Sequence, residues 1–248
     1  MIHLKTKQEI DAMRESGQKV AQILSELSLL AVPRASTKDL DQYAEVRCKE
    51  LHCTPAFKGY KGFPGCVCIS VNEECIHGIP SDRKLIEGDI VGLDFGVVYN
   101  GWYGDSARTV RVGKVSSQAE HLLAVTQQAL NYGIAMCCEG KTTGDIGAAI
   151  QGYAEMWGFG VVKEFTGHGI GRALHEDPSV LNYGKVGDGF PLKVGMVLAI
   201  EPIITYGSPE IKTLKDGWTV STRDGSLAAH FEHTIAITEN GPEILTRY

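Results

Sequence analysis

Asp94 and Asp105 fall on opposite arms of a predicted β-hairpin, where their carboxylates could bind metal ions. The apolar run that contains Asp94 predicts a strand, and the dipeptide Asn100-Gly101 is typical of a two-residue type I′ turn, after which the chain returns. In this register Gly96 opposes Asp105, so the two aspartates are diagonal neighbours, with backbones roughly 7–8 Å apart. Since apolar residues flank Asp94, its carboxylate is expected to be buried, which is costly unless it is paired or binds a cation. Two surface acids on a solvated hairpin are the alternative.

Three more side chains with metal-binding atoms interrupt apolar or glycine-rich segments. Glu201 follows an apolar run and precedes a proline, Glu232 lies within a predicted strand, and His168 stands between glycines. Taken singly, each could be a strand-end acid, an edge residue or a turn histidine. Together with the two aspartates they form four carboxylates and one imidazole, which suit Mn²⁺, Fe²⁺, Co²⁺ or Zn²⁺. This number of carboxylates matches two ions about 3.5–4 Å apart.

Two further histidines, His77 and His175, lie beside turn-forming residues. Imidazole with a pKa near neutrality is the usual proton donor to a carbonyl oxygen or a leaving nitrogen. Both histidines are therefore candidates for catalysis, and a capping or surface role is the alternative for each.

The bulk properties narrow the class of protein. The chain has 248 residues, of which 43% are hydrophobic, so it can form a substantial core. A net charge of -6 argues against nucleic-acid binding. The seven cysteines are odd in number and contain no C-x-x-C pair, which argues against a disulfide framework or a zinc ribbon. Without a signal peptide or an apolar run of ~18 residues, we expect a cytoplasmic protein that does not contact membranes.

Hydrophobic periodicity predicts four helices and a strand-rich C-terminal third. The predicted helices are 7–30, 36 to about 52, 118–138 and 143–157. The predicted strands are 67–71, 90–99, a return strand from 102, 161–165, 196–205, 218–222 and 228–238. Runs of strands and helices without strict alternation favour an α+β fold in a single domain, 1–248. The order helix, helix, strands occurs twice and indicates an internal two-fold arrangement.

These motifs, taken in order along the chain, resemble type I methionine aminopeptidase of the bacterial kind. The resemblance is carried by Asn72-Glu73-Glu74-Cys75-Ile76-His77-Gly78-Ile79-Pro80, by Asp94 and Asp105, by Gly167-His168-Gly169-Ile170-Gly171, by His175-Glu176-Asp177-Pro178, by Glu201-Pro202 and by Phe231-Glu232-His233-Thr234. It implies the pita-bread fold of the creatinase and aminopeptidase group, a pseudo-two-fold antiparallel sheet covered by helices. It also implies removal of the initiator methionine when the second residue is small.

The resemblance implies a role for each candidate residue. Asp94 would bind one of two divalent ions (Co, Mn, Fe(II) or Zn), and His168 with Glu201 would bind the other. Asp105 and Glu232 would bridge both ions. Two histidines would contact substrate, His77 near the scissile amide nitrogen and His175 at the carbonyl oxygen, and Glu201 would also move a proton.

An apolar pocket for the methionine side chain is also implied. Its residues would be Tyr60, Phe63, Cys68, Trp218 and Phe57. Three positions depart from the family pattern: Phe57 replaces a frequent cysteine, Lys61 a common histidine and Leu174 a frequent phenylalanine. We expect these departures to change the rim of the pocket and to leave the chemistry intact.

The implied partners are the N-termini of nascent polypeptides, and we expect a monomer. The sequence leaves association with the ribosome open. Xaa-Pro aminopeptidases and dipeptidases share the ligand set but usually carry an extra N-terminal domain, for which the residues before Asp94 leave no room. A metal-free binding protein on the same fold is the second alternative, and the presence of all five ligand positions argues against it.

Overall fold

Four helices form where the sequence predicts them, and all begin with a polar cap. The computed structural model describes residues 2–247, and its helices are α1 (Lys7–Leu30), α2 (Thr37–Glu50), α3 (Ser117–Ala135) and α4 (Thr143–Met156). At the start of α1, the Thr6 hydroxyl accepts from the Glu9 amide, while the Glu9 carboxylate accepts from the Thr6 amide. The helices α2 and α4 repeat this capping box. No helix in this part of the chain is long and apolar enough to cross a membrane.

The described residues contain fifteen short strands, which pair only in antiparallel fashion. In the N-terminal half they are β1 (Thr54–Pro55), β2 (Cys68–Val71), β3 (Glu74–Ile76), β4 (Ile90–Tyr99) and β5 (Trp102–Arg111). The remaining strands are β6 (Gly160–Val161), β7 (Gly167–Gly169), β8 (Glu176–Val180), β9 (Val197–Ile200), β10 (Ile203–Thr205), β11 (Ile211–Thr213), β12 (Val220–Thr222), β13 (Ala228–His230), β14 (His233–Thr238) and β15 (Gly241–Ile244). The largest sheets are β15-β14-β9-β7-β8 and β1-β4-β2, with β5 joined to β4.

The hairpin β4–β5 has the predicted register. Tyr99 pairs with Trp102 and Gly96 with Asp105. Asn100 and Gly101 have φ angles of 50° and 75°, and positive values at both positions are what a type I′ turn requires. The local rules for hairpins therefore place the two aspartates on adjacent strands without any tertiary information.

Three predicted strands are wrong in their extent. Residues 161–165 contribute only the end of β6, because the backbone turns away before the histidine-bearing strand β7. The predicted strand 196–205 breaks at Glu201-Pro202, and 228–238 breaks at Phe231-Glu232. At these breaks the backbone amides bond elsewhere: Glu232 donates to Ala107 of β5 at 2.8 Å, and proline has no amide to donate. The strands β1, β3, β7, β8, β11 and β15 were not predicted, because each has five residues or fewer and no clear alternation.

Two hydrophobic cores cover the sheets, one in each half of the chain. In the N-terminal half, α1 and α2 pack on β2 and β4 through residues such as Leu24, Leu40 and Phe95. In the C-terminal half, α3 and α4 pack on β9 and β14. This repeated arrangement of two helices on an antiparallel sheet agrees with the predicted two-fold order. A third cluster contains residues from both halves, among them Phe63 and Leu174.

Candidate metal centre and substrate pocket

One cavity of about 150 Å³ brings together every candidate residue predicted from the sequence. Its lining includes the five proposed ligands Asp94, Asp105, His168, Glu201 and Glu232, the two histidines His77 and His175, and the pocket residues Phe57, Tyr60, Phe63, Cys68 and Trp218. Lys61, Ile76 and Leu174 complete the wall. The structure thus joins residues far apart in sequence, while their individual roles stay predictions.

The ligand side chains converge from three strands and from the two breaks at Glu201-Pro202 and Phe231-Glu232. Carboxylate or imidazole atoms of Asp105, His168 and Glu232 lie within 4.8 Å of one another. The Nε2 atom of His168 lies 3.4 Å from Oε1 of Glu201. Asp94 enters from β4, where it pairs with Cys68 on one side and Ala107 on the other.

Backbone contacts hold these side chains in place. The Asp105 amide donates to the Thr234 hydroxyl at 3.1 Å, and that hydroxyl donates to the Asp105 carbonyl at 2.7 Å. The Ser106 hydroxyl donates to the Glu232 carbonyl at 2.6 Å. Nδ1 of His168 contacts the neighbouring Gly169 carbonyl at 2.8 Å, which leaves Nε2 as the ligand atom. Asp105 and Glu232 are therefore positioned by direct contacts between β5 and the segment around β14.

The chemistry of the site fits divalent cations. Asp94 Oδ1, Asp105 Oδ1 and Glu232 Oε1 are buried without a hydrogen-bond partner among the described residues, an arrangement that is costly without positive charge. Burial raises the pKa of Asp105 to about 7, and burial together with the neighbouring carboxylates holds the pKa values of Asp94, Glu201 and Glu232 well above their usual range. These four buried acids could ionise together only beside cations.

The imidazole of His168 also suits a metal ligand. Burial lowers the pKa of His168 to about 4, so this ring is neutral at pH 7 and its Nε2 lone pair is available. Four carboxylates and a neutral imidazole form a donor set that binds Mn²⁺, Fe²⁺, Co²⁺ or Zn²⁺.

The two other histidines line the same cavity as this cluster, and the ring centres of His175 and His168 lie 4.2 Å apart. The Tyr60 hydroxyl lies 2.9 Å from Nδ1 of His175 and the two rings stack, which leaves Nε2 of His175 free for a substrate. His77 has a φ of 59° and makes edge contacts with Phe165 and Trp218. Burial lowers the pKa of His77 to about 4 and, together with Lys61, lowers the pKa of His175. Both rings are thus neutral hydrogen-bonding groups at pH 7.

The far wall of the cavity is apolar. Phe57, Phe63, Cys68 and Leu174 are buried, and Phe63 meets Trp218 edge to face with 5.3 Å between ring centres. Aromatic rings and a sulfur atom form polarizable contacts that suit a thioether side chain. The unusual Phe57 and Leu174 belong to this wall, so these two of the three departures from the family pattern keep it apolar.

The sequence analysis did not identify two buried residues that contact Glu201. Nε2 of His230 lies 3.9 Å from Glu201 Oε2, and the Asn182 amide nitrogen donates to the Glu201 carbonyl at 3.1 Å. His230 stands two positions before Glu232, a spacing that places side chains on one face of an extended chain and could have indicated its inward direction. For Asn182 the sequence contains no such signal.

Comparisons with known proteins place the chain in a family. The profile of metallopeptidase family M24 matches residues 11–239. The chain is 51% identical to methionine aminopeptidase 1 of Bacillus subtilis over the whole of both chains, and 48% identical to methionine aminopeptidase of Clostridium acetobutylicum over 99% of both. The crystal structure of methionine aminopeptidase from Rickettsia prowazekii superposes with a TM-score of 0.98 at 43% identity, covering 99% of this chain and 100% of that one. This match confirms the expected pita-bread fold. The chain therefore belongs to metallopeptidase family M24, among its methionine aminopeptidases.

Proposed function

We propose that this chain hydrolyses the first peptide bond of polypeptides that begin with methionine, and that it prefers a small second residue. The observation that carries this proposal is one cavity in which four buried carboxylates and a neutral imidazole face an apolar, sulfur-containing wall. The family membership supports it, because a metallopeptidase uses divalent metal ions and the full-length relatives are methionine aminopeptidases.

The residues present would hold two ions. Asp94 would bind one, His168 and Glu201 the other, and Asp105 with Glu232 both, which gives each of the four carboxylates a cation as partner. When bound, divalent ions lower the pKa of water toward ~7 and so supply hydroxide at neutral pH. Cobalt, manganese, iron(II) and zinc are all compatible with this donor set.

The chain's own side chains would orient the substrate and move the proton. The apolar wall would take the methionine side chain and exclude water from it. His175, held through Nδ1 by Tyr60, would donate a hydrogen bond from Nε2 to the scissile carbonyl oxygen. Such a donor stabilises the transition state by about 3–4 kcal/mol. The buried carboxyl of Glu201 would take up the proton released during the reaction and pass it to the departing amide nitrogen beside His77. Proton transfer of this kind typically raises the rate roughly 10²–10⁴-fold.

The natural substrates would be the N-termini of nascent chains in the cytoplasm. We propose a monomer without direct contact to nucleic acid, in keeping with the net charge of -6. Sedimentation of the purified protein would test the oligomeric state, and sedimentation with ribosomes would test their association.

The decisive experiment is amino-acid release by metal-loaded protein from Met-Gly-Xaa and Ala-Pro-Xaa, repeated after chelation. Methionine release from the first peptide alone, lost on chelation and restored by Mn²⁺, Fe²⁺ or Co²⁺, is the expected result. Cleavage of the second peptide would instead assign the chain to the Xaa-Pro enzymes. If neither peptide is cleaved with any ion, a binding protein on the same fold becomes the better explanation.

A further inference from the structure

A lysine stands at the rim of the cavity in an unusual backbone conformation. Lys61 has a φ of 49° in a three-residue 3-10 turn, between Gly59 and Gly62, whose φ angles are also positive. The turn is closed by two bonds, from the Gly59 amide to the Phe63 carbonyl at 2.8 Å and from the Phe63 amide to the Tyr60 carbonyl at 2.9 Å. Since the backbone is held on both sides, the Cα–Cβ bond of Lys61 has a fixed position at the rim.

The ammonium group of Lys61 is exposed and lacks an acidic partner within residues 2–247. Its Nζ atom lies 5.3 Å from the centre of the Tyr60 ring, the ring that stacks on His175. The neighbouring Lys58, by contrast, is paired with Glu45 at 2.8 Å. The two lysines of this loop therefore differ: the charge of Lys58 is balanced by the fold, and the charge of Lys61 is not.

Lys61 belongs to the cavity that contains the proposed metal ligands. It lines the same cavity as His77 and His175, and its ammonium group lies near the Tyr60 ring, whose hydroxyl is 2.9 Å from Nδ1 of His175. The four carboxylates of the cavity would be balanced by two divalent ions. Among residues 2–247 no acidic side chain pairs with Lys61, so its positive charge is available to an entering substrate.

We propose that Lys61 is a specificity-determining residue that favours substrates with a carboxylate at the third position. This inference rests on the proposed function. The methionine would lie against the apolar wall, and the bond to the second residue would lie between His77 and His175. An extended chain advances roughly 3.3 Å per residue, so the third residue would be the first to reach the rim. An Asp or Glu side chain there would supply the acid that Lys61 lacks.

The test compares kcat/KM of the metal-loaded enzyme for Met-Gly-Asp-Phe-amide and Met-Gly-Asn-Phe-amide. The C-terminal amides remove the carboxylate at the end of the peptide, so that only the Asp side chain differs. The effect of a C-terminal carboxylate is measured separately by comparing Met-Gly-Phe as the free acid and as the amide. We expect the Asp peptide to be preferred by about 2–5-fold, the range of an exposed ion pair. The preference should weaken in ~0.5 M salt, where charges are screened over a few ångströms.

Variants separate the rim charge from other causes. Lys61→Met keeps the apolar stem and should abolish the preference, and Lys61→Glu should reverse it. The matched control is Lys58→Met in the same loop, which should keep the wild-type preference. Equal cleavage of both peptides by the wild type, or an unchanged preference in Lys61→Met, would overturn the inference while leaving methionine release intact. Failure to release methionine from any of the peptides would instead overturn the proposed function.

Discussion

Replacement of Asp105 by asparagine should stabilise the chelator-treated protein and abolish its activity. Asp105 is 4% exposed, and its Oδ1 atom has no hydrogen-bond partner among the described residues. Burial raises its pKa from 3.8 to about 7. At about 1.36 kcal/mol per pKa unit, this difference corresponds to about 4 kcal/mol of destabilisation by the ionised carboxylate.

The expected gain in the free energy of unfolding is smaller than this value. Asparagine cannot ionise, but its buried amide is itself unsatisfied, at a cost of about 1–3 kcal/mol. We therefore expect the Asp105→Asn variant to gain about 1–3 kcal/mol at pH 8 in the presence of chelator. For a chain of this length the midpoint of thermal unfolding should rise by about 2–12 °C.

The sign of the pH dependence follows from the raised pKa. A carboxyl whose folded pKa exceeds its unfolded pKa is protonated in both states below about pH 4 and costs nothing there. The destabilisation caused by the ionised carboxylate grows as the pH rises from about 4 to 7 and reaches its full value above pH 7. Asp105→Asn should therefore stabilise the chelator-treated protein at pH 8, whereas near pH 4 only the cost of the unsatisfied amide remains and the variant should be the less stable protein.

Urea unfolding with chelator at pH 8 and pH 4 measures this difference. Asp82→Asn is the matched control, since the Asp82 side chain is 89% exposed. When metal is restored at pH 8 the wild type should become the more stable protein, because binding to the folded state adds stability. A variant that is less stable than the wild type at pH 8 with chelator, or one that gains equally at both pH values, would refute the assignment of Asp105 as a strained, ionisable ligand.

Three further substitutions test other parts of the site. His175→Ala should lower kcat by about 10²–10³-fold with a small change in KM, and a normal kcat in steady-state assays would remove its role at the carbonyl oxygen. Gly78→Ala should lower both the unfolding midpoint and kcat, because a Cβ atom there would lie 2.1 Å from the Ile69 carbonyl and must displace His77; a soluble, fully active variant would contradict this. Trp218→Ala should raise KM for methionine peptides about 10-fold, through loss of apolar contact worth about 1.5 kcal/mol, and an unchanged KM would place the methionine elsewhere.

The elements that follow local rules were predictable. The four helices have strong periodicity and polar caps, and the hairpin has a dipeptide that permits only a few turn types. The short strands were not predictable, since a segment such as β3 or β7 has three residues and owes its conformation to its neighbours. Such pairing depends on tertiary contacts that no window of sequence contains.

The composition of the candidate site was predictable for a different reason. Buried acids interrupt apolar runs at Asp94, Glu201 and Glu232, and this pattern is visible in the sequence because burial of a charge is rare without a partner. Their convergence was not visible. It depends on the bond from the Glu232 amide to the Ala107 carbonyl, which ties the break between β13 and β14 to the strand that carries Asp105.

The breaks in the two C-terminal strands therefore have a functional explanation. A continuous strand would pair its amides along one sheet and would alternate its side chains between the two faces. At Glu201-Pro202 and at Phe231-Glu232 the chain leaves its sheet, and the Phe231 amide donates to the Pro202 carbonyl, so the two breaks lie against each other. Each break carries one glutamate into the cavity. The two incorrectly predicted strands are thus interrupted at the residues that carry the buried glutamates. The carboxylates gathered in the cavity are stable as ions only with cations bound.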